Sequence, residues 1–292
     1  MIHSSWSRVI GQVASDRVGV GVRMSYGDPS SSLRPLRRLG QNFLIDKAVR
    51  DLLLGSADLD RSDIVLEVGA GRGFLTEALV DRVGKVIAIE KDPRLVSLLR
   101  QKYRGSRRLR IIEGDILKTK LPRFNKVVST PPYYISSRLI LLLISKRFRC
   151  AALTLQKEFA QRLAARPCSP DYGRISVMVQ HRCSVELAGL ISRTSFRPVP
   201  EVDSAVVVMH NKKAQVPVKS ERMFSDMVRF MFTQRKRKAN KVLRSYLESI
   251  GRGEFRPQVG ALLRDERVFQ LTVSDFERLS NEVFKMRSAK HD

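Results

Sequence analysis

The chain has little of what builds metal clusters or disulfide frameworks. Its 292 residues include only 3 cysteines, Cys150, Cys168 and Cys183, none in a CxxC pair, and 4 scattered histidines, His3, His181, His210 and His291. Neither a metal site nor a stapled small fold is expected. Long apolar runs are missing as well: the longest aliphatic stretch, from Leu139 to Ile144, has six residues, against roughly 20 needed to cross a bilayer. The expectation is a soluble, cytoplasmic protein with no membrane partner. Acidic residues are scarce, 29 against 54 lysines and arginines, for a net charge of +25. That excess runs along the whole chain, which makes a polyanion the expected partner.

The first 30 residues mix Ser, Gly and Arg without an apolar period and lack the apolar core of a secretory signal. They are expected to be disordered. Arg8, Arg17 and Arg23 stand there against Asp16, so an organellar transit peptide, or translation starting at Met24, are the alternatives.

From residue 46 onward, helical periodicity alternates with short continuous apolar runs. Helices are expected around Val49, Leu52 and Leu53, then over 74–83, over 93–103 opened by Asp92, over 136–147 and over 158–165. Strands are expected at 64–68, 85–89, 109–112, 126–129 and 151–155. Strands separated by helices argue for an α/β domain whose mainly parallel sheet is covered on both faces. Residues 175–180 and 205–210 read as further β-rich stretches. Beyond about residue 213 strand signals stop and helical periodicity continues to the end. The expected organisation is an extension at 1–30, an α/β domain at 31–212 and a small all-helical domain at 213–292 that binds RNA.

Glu67-Val68-Gly69-Ala70-Gly71-Arg72-Gly73 follows an expected strand and leads into a helix, the context of a nucleotide-binding glycine turn. Glycines allow the sharp turn and the close approach of a ligand to backbone. Seventeen residues after Gly73, Glu90 ends the next strand, where a carboxylate can accept hydrogen bonds from both hydroxyls of a ribose. Asp115 follows the third strand and is placed to meet an adenine amino group. A dinucleotide dehydrogenase shares such features, but its GxGxxG pattern needs glycine at position 74, which is Phe74. ExGxGxG is the form common in methyltransferases. A plain turn with three glycines remains the bland alternative.

Thr130-Pro131-Pro132-Tyr133 follows the fourth expected strand, at the carboxyl edge where open α/β sheets bind ligands. The exocyclic amine of adenine is a weak nucleophile, because its lone pair is delocalised into the ring. Acceptors on its N–H groups favour a pyramidal nitrogen aimed at a methyl donor, and the Pro131 carbonyl and an oxygen of Thr130 suit that role. Tyr133 can stack on a flipped base. Basic clusters stand at Arg34, Arg37 and Arg38, and at Arg235, Lys236, Arg237 and Lys238 with Lys241 and Arg244 following. The first, just before the Gly40 motif, is expected to reach RNA near the active site, and the second is expected to open a helix and to meet phosphates; a solvated face is the alternative for both.

With these residues in hand, the chain resembles the small-subunit ribosomal RNA adenine dimethyltransferases and, more loosely, the 23S-type macrolide-resistance methyltransferases. The resemblance runs from about Arg37 to Lys238. Besides the two motifs it includes Leu39-Gly40-Gln41-Asn42-Phe43-Leu44, Gln156-Lys157-Glu158-Phe159-Ala160-Gln161-Arg162, Tyr172-Gly173-Arg174-Ile175-Ser176-Val177, Phe196-Arg197-Pro198-Val199-Pro200 with Val202 and Ser204, and Phe232 through Lys238. It implies a Rossmann-like, class I S-adenosylmethionine-dependent methyltransferase domain with a small helical C-terminal domain. The implied reaction dimethylates two neighbouring adenosines near the 3′ end of small-subunit ribosomal RNA in a pre-ribosomal particle, by a protein acting as a monomer. By motif position, Asn42, Leu44, Gly69, Gly71, Glu90, Asp115 and Thr130 contact the cofactor, and Tyr133 and Phe196 bracket the target adenine. For Phe196 a plain core position is the alternative. One departure stands out: the family's acceptor motif usually begins with asparagine, and here it begins with Thr130. A hydroxyl still accepts a hydrogen bond, but it is shorter, which opens slower transfer or an earlier stop. A catalytically weak RNA-binding assembly or transcription factor is the competing function.

Overall fold

The computed structural model describes residues 33–251, 259, 262–263 and 265–288; the expectations about residues 1–30 lie outside them. Pro35–Asp292 forms one unit. Its centre is a seven-stranded sheet built from β2 (Ile64–Val68), β3 (Lys85–Glu90), β4 (Leu109–Glu113), β5 (Lys126–Ser129), β6 (Cys150–Gln156), β7 (Cys183–Ile191) and β9 (Ser204–Asn211), in the order β4-β3-β2-β5-β6-β9-β7. The run from β4 to β6 is parallel, and β9 pairs antiparallel with β6 and with β7. Two short strands, β1 (Phe43–Leu44) and β8 (Phe196–Arg197), form a separate antiparallel ribbon.

The inner strands are mostly apolar because both of their faces are covered, with Glu67, Lys126 and Ser129 among the buried exceptions. On one face, Leu53 of α1 (Lys47–Ser56), Leu79 of α2 (Phe74–Val80) and Leu99 of α3 (Pro93–Lys102) pack on Val65, Val86 and Val128. On the other, Leu139 and Leu143 of α4 (Ser136–Ile144), Leu163 of α5 (Lys157–Ala164) and Val179 of α6 (Arg174–Arg182) pack on Leu66, Ile87 and Val127. Side-chain caps start the helices where the sequence offers them. Asp46 accepts from the Ala48 and Val49 amides, and Asp92 accepts from Arg94 N with Pro93 in the first turn. At the amino edge of the sheet a buried Lys126–Asp63 pair at 2.8 Å ties β5 to the start of β2. Removing one partner would strand a buried charge, at a cost of about 3–5 kcal/mol.

The structure corrects the expectation of a β-rich stretch at 175–180, which lies inside α6. The segment is buried on more than one side, so a helical stripe cannot be seen in it. Its intervening polar residues also point inward: Ser176 Oγ donates to the Arg162 carbonyl (2.6 Å) and Gln180 Nε2 to those of Leu163 and Ala165 (2.9 and 2.8 Å). The strand lies just beyond, as β7, whose pairing with β9 is irregular between Leu187 and Gly189.

After β9 the described chain is helical, with α7 (Glu221–Phe232), α8 (Ala239–Ser249) and α9 (Val273–Ser288). Phe224, Met227, Leu243, Leu247, Phe276 and Leu279 share a core that also takes in Tyr172 and Val177. Polar ties cross the same seam. Tyr172 donates to the Leu271 carbonyl (2.9 Å), and buried His181 meets Glu277 at 2.7 Å, whose other oxygen accepts from Val216 N at 3.0 Å. Among the described residues no helix is long and apolar enough to cross a membrane.

Candidate active site

Strand order reverses between β2 and β5, and open α/β sheets bind ligands at the carboxyl ends of the strands flanking such a point. The glycine loop leaves β2 there and the Thr-Pro-Pro-Tyr turn leaves β5. Ser129 Oγ locks the two exits together, accepting from Val68 N (3.2 Å) and donating to the Val68 carbonyl (2.6 Å). Gly69, Gly71 and Gly73 all adopt positive φ, at 72°, 58° and 84°. At each of them the lack of a side chain also admits a neighbour: a Cβ on Gly69 would stand 3.3 Å from Pro132, one on Gly71 3.1 Å from the Phe43 ring, and one on Gly73 2.9 Å from Leu99.

Glu90, at the end of β3, is 7% exposed and held by three backbone donors, Gly71 N (2.9 Å), Lys91 N (2.8 Å) and Asp92 N (2.9 Å). Burial pushes its carboxyl above the usual glutamate range, an effect those amides partly offset. Glu67, one strand over, is fully buried and pushed up to about 8, again by burial, with Thr76 Oγ1 donating to it at 2.7 Å. Asp115 behaves in the opposite way. The Leu117 amide (3.0 Å) and the Lys91 ammonium (3.0 Å) hold its carboxyl below the usual range.

The N-terminal motif is folded over this cofactor side. Gln41 Nε2 donates to Asp92 (2.9 Å) while its own oxygen accepts from Leu36 N (2.7 Å), and the Arg94 guanidinium with Gln41 holds Asp92 at about 2. Phe43 lies against Gly71 with the Arg72 guanidinium 4.8 Å from its ring centre. Asn42 is half-buried between those two anchors, and Leu44 is buried in the core. The donor set fits S-adenosylmethionine. An open glycine backbone suits close approach, and two carboxylates at neighbouring strand ends suit the hydroxyl and amine donors of an adenosine.

The acceptor side is closed by comparison. Pro131 is buried and Thr130 half-buried. The Tyr133 hydroxyl shares a 2.5 Å hydrogen bond with Ser204, and its ring sits edge-on to Phe196, centroids 6.5 Å apart and planes inclined by 73°. Phe196 is 1% exposed. Stacking a base on both ring faces needs parallel planes about 7 Å apart, twice the ~3.5 Å contact distance, so a ring turns if both faces are to be used. The β1–β8 pairing of Leu44 with Phe196 joins two motifs far apart in sequence.

Of the basic residues, Arg37 and Arg38 are exposed on a turn that Gly40 caps. The 235–238 cluster does not open a helix, because it lies in the turn ahead of α8, with Lys238 at the cap position. Arg235 faces inward, donating to the carbonyls of Pro170 (2.8 Å) and Ser169 (3.2 Å) beside the Phe269 ring. Lys238 pairs with Asp265 at 2.7 Å, while Lys236 and Arg237 remain exposed. Lys91 was not singled out by pattern, and Phe43 and Ser204 entered only as members of matched motifs, without a role of their own. Each acts through a partner distant in sequence.

Comparison with known proteins agrees with this geometry. The family described as ribosomal RNA adenine dimethylase matches residues 34–285. The probable ribosomal RNA small subunit methyltransferase A of Thermococcus onnurineus (strain NA1) is 42% identical over 254 residues, covering 85% of this chain and 92% of that protein. The protein of the same name from Thermococcus sibiricus (strain DSM 12597 / MM 739) is 40% identical over 252 residues, covering 84% and 91%. Among solved structures, a dimethyladenosine transferase from Plasmodium falciparum superposes with a TM-score of 0.74 at 28% identity, over 84% of this chain and 98% of that one. The 23S rRNA methyltransferase ErmE gives 0.65 at 27%, over 82% and 98%. The agreement takes in the glycine loop, the acceptor turn and the helices that follow the sheet, and on that extent the chain belongs to the ribosomal RNA adenine dimethylase family.

Proposed function

We propose that this chain dimethylates the N6 amines of two adjacent adenosines near the 3′ end of small-subunit ribosomal RNA, within a partly assembled ribosomal particle. The observation that carries this reading is the placement of the Thr130–Tyr133 turn directly against the glycine loop, with Pro132 on Gly69. S-adenosylmethionine supplies an activated methyl group on a sulfonium sulfur. The chain's own part is binding and alignment. Glu90, fixed by three amides, accepts the ribose hydroxyls, and Asp115, reached by Lys91, accepts from the adenine amine. Asn42, Leu44 and the backbone at Gly69 and Gly71 close the remaining sides. On the acceptor side the Pro131 carbonyl and the Thr130 hydroxyl take the target amine's N–H bonds and orient its lone pair toward the methyl. Tyr133 and Phe196 hold the flipped base once their rings have turned to admit it.

Arg37 and Arg38 beside the site, and Lys236 and Arg237 ahead of α8, bring the RNA backbone to the chain, with the helical portion after residue 213 as the second contact region. Incubating the protein with labelled S-adenosylmethionine and unmethylated small subunits, then mapping the products by mass spectrometry, tests the reading. Two neighbouring N6,N6-dimethyladenosines are expected. Cofactor binding without any transfer would instead leave an RNA-binding assembly factor.

A further inference from the structure

Tyr134 stands outside the machinery described so far. It follows Tyr133 in the turn Tyr133–Ile135, yet Tyr133 is half-buried and bonded to Ser204 whereas Tyr134 is 49% exposed. Its ring is not loose. A Cβ on Gly40, where φ is 58°, would stand 2.9 Å from Tyr134 Cδ1, so the bare backbone of Gly40 backs the ring. Basic residues stand on the elements next to it. Lys91 interacts electrostatically with Tyr134 and with Arg138, which is exposed four positions further along at the start of α4. Arg37 and Arg38 form the turn that ends at Gly40. An aromatic ring with one side supported, the rest open and a basic rim is the arrangement with which proteins hold single-stranded nucleic acid. The base stacks, and the cations meet the flanking phosphates.

We propose that Tyr134 is a stacking platform for the nucleotide next to the target adenosine, so that Tyr133 and Tyr134 receive neighbouring bases of one strand. The inference rests on the ribosomal RNA reading above and adds a register to it. One tyrosine faces the methyl-transfer site and the next faces outward at its mouth, so the strand is held at two consecutive bases while one is modified. Tyr134 is a positioning residue: it touches the neighbour and not the reacting amine.

The test uses the full chain as wild type, Tyr134→Ala and Tyr134→Trp. One arm measures affinity for a single-stranded oligoribonucleotide with 2-aminopurine beside an adenosine; the other follows methylation of small subunits. Tyr134→Ala should weaken oligonucleotide binding about tenfold, abolish the stacking quench of 2-aminopurine, raise KM for small subunits with kcat largely kept, and lower the fraction carrying both modified adenosines. Tyr134→Trp should restore all four. An unchanged quench and KM in Tyr134→Ala would overturn the platform. So would a loss of S-adenosylmethionine affinity in calorimetry, which would assign the ring to the cofactor instead. A wild type that methylates no small subunits defeats the ribosomal RNA reading, while the oligonucleotide arm still reads the platform by itself.

Discussion

The two sides of the site differ in how they are held. On the cofactor side the positions are set mainly by backbone: three amides fix Glu90 and positive-φ glycines shape the loop, while one side-chain pair, Gln41 on Asp92, ties down the N-terminal motif. On the acceptor side they are set by two aromatic side chains, Tyr133 on Ser204 and Phe196 in the core, packed edge to face. Backbone geometry fixed by a sheet is complete before a ligand arrives. Rings that fill each other's space must exchange that contact for a base. On the proposed roles of these residues, cofactor recognition is preorganised, whereas base recognition carries the cost of opening.

That contrast can be broken at several points. The largest effect is expected for Glu90→Ala, which should reduce S-adenosylmethionine affinity in calorimetry by about a hundredfold or more, since loss of the buried acceptor leaves the bound hydroxyls unpaired. Unchanged affinity would refute the ribose contact. Next, Tyr133→Ala should lower kcat/KM by up to about a hundredfold with cofactor affinity intact. Tyr133→Phe keeps the ring and loses only the bond to Ser204, and should stay within about fivefold of wild type. Thr130→Ala should cost about tenfold in kcat, and Thr130→Asn, with its longer acceptor, should raise the share of fully dimethylated product on mass spectrometry.

Smaller effects sharpen the same division between residues committed to the fold and residues left for RNA. The double variant Lys236→Ala/Arg237→Ala should flatten the log-log salt dependence of single-strand RNA binding by about 1.4, at 0.7 per phosphate, with Tm unchanged. Arg235→Ala should do the reverse, lowering Tm because the Ser169 and Pro170 carbonyls lose their donor. A pH slope of stability is expected from Glu67. Its carboxyl, pushed up to about 8 by burial, lies above the ordinary glutamate value, so the folded chain holds the proton more tightly. Stability is therefore greatest at low pH and falls as pH rises through that window, by at most about 1.4 kcal/mol per unit. Glu67→Gln keeps an acceptor for Thr76 and should remove the slope from Tm measured between pH 5 and 8.

Much of this was legible in the sequence because the parallel strands are short apolar runs ending in recognisable residues. Val68 leads into the glycines, Ile89 into Glu90, and Ser129 into Thr130. What was not legible depends on distance. The Tyr133–Ser204 bond spans 71 positions and the Gln41–Asp92 bond spans 51, and neither leaves a local pattern. The α6 segment misreads as a strand because Ser176 and Gln180 turn inward to carbonyls at the end of α5. Arg235 and Lys236 look alike as neighbours, and only packing shows that the first is used by the fold.

The most direct test of the contrast between the two sides is calorimetric titration of S-adenosylmethionine into the full-length protein without RNA, alongside the same titration with small subunits present. A preorganised cofactor side predicts one bound cofactor per chain in both, with affinities within a few fold of each other. Binding that becomes detectable only when small subunits are added would contradict the account.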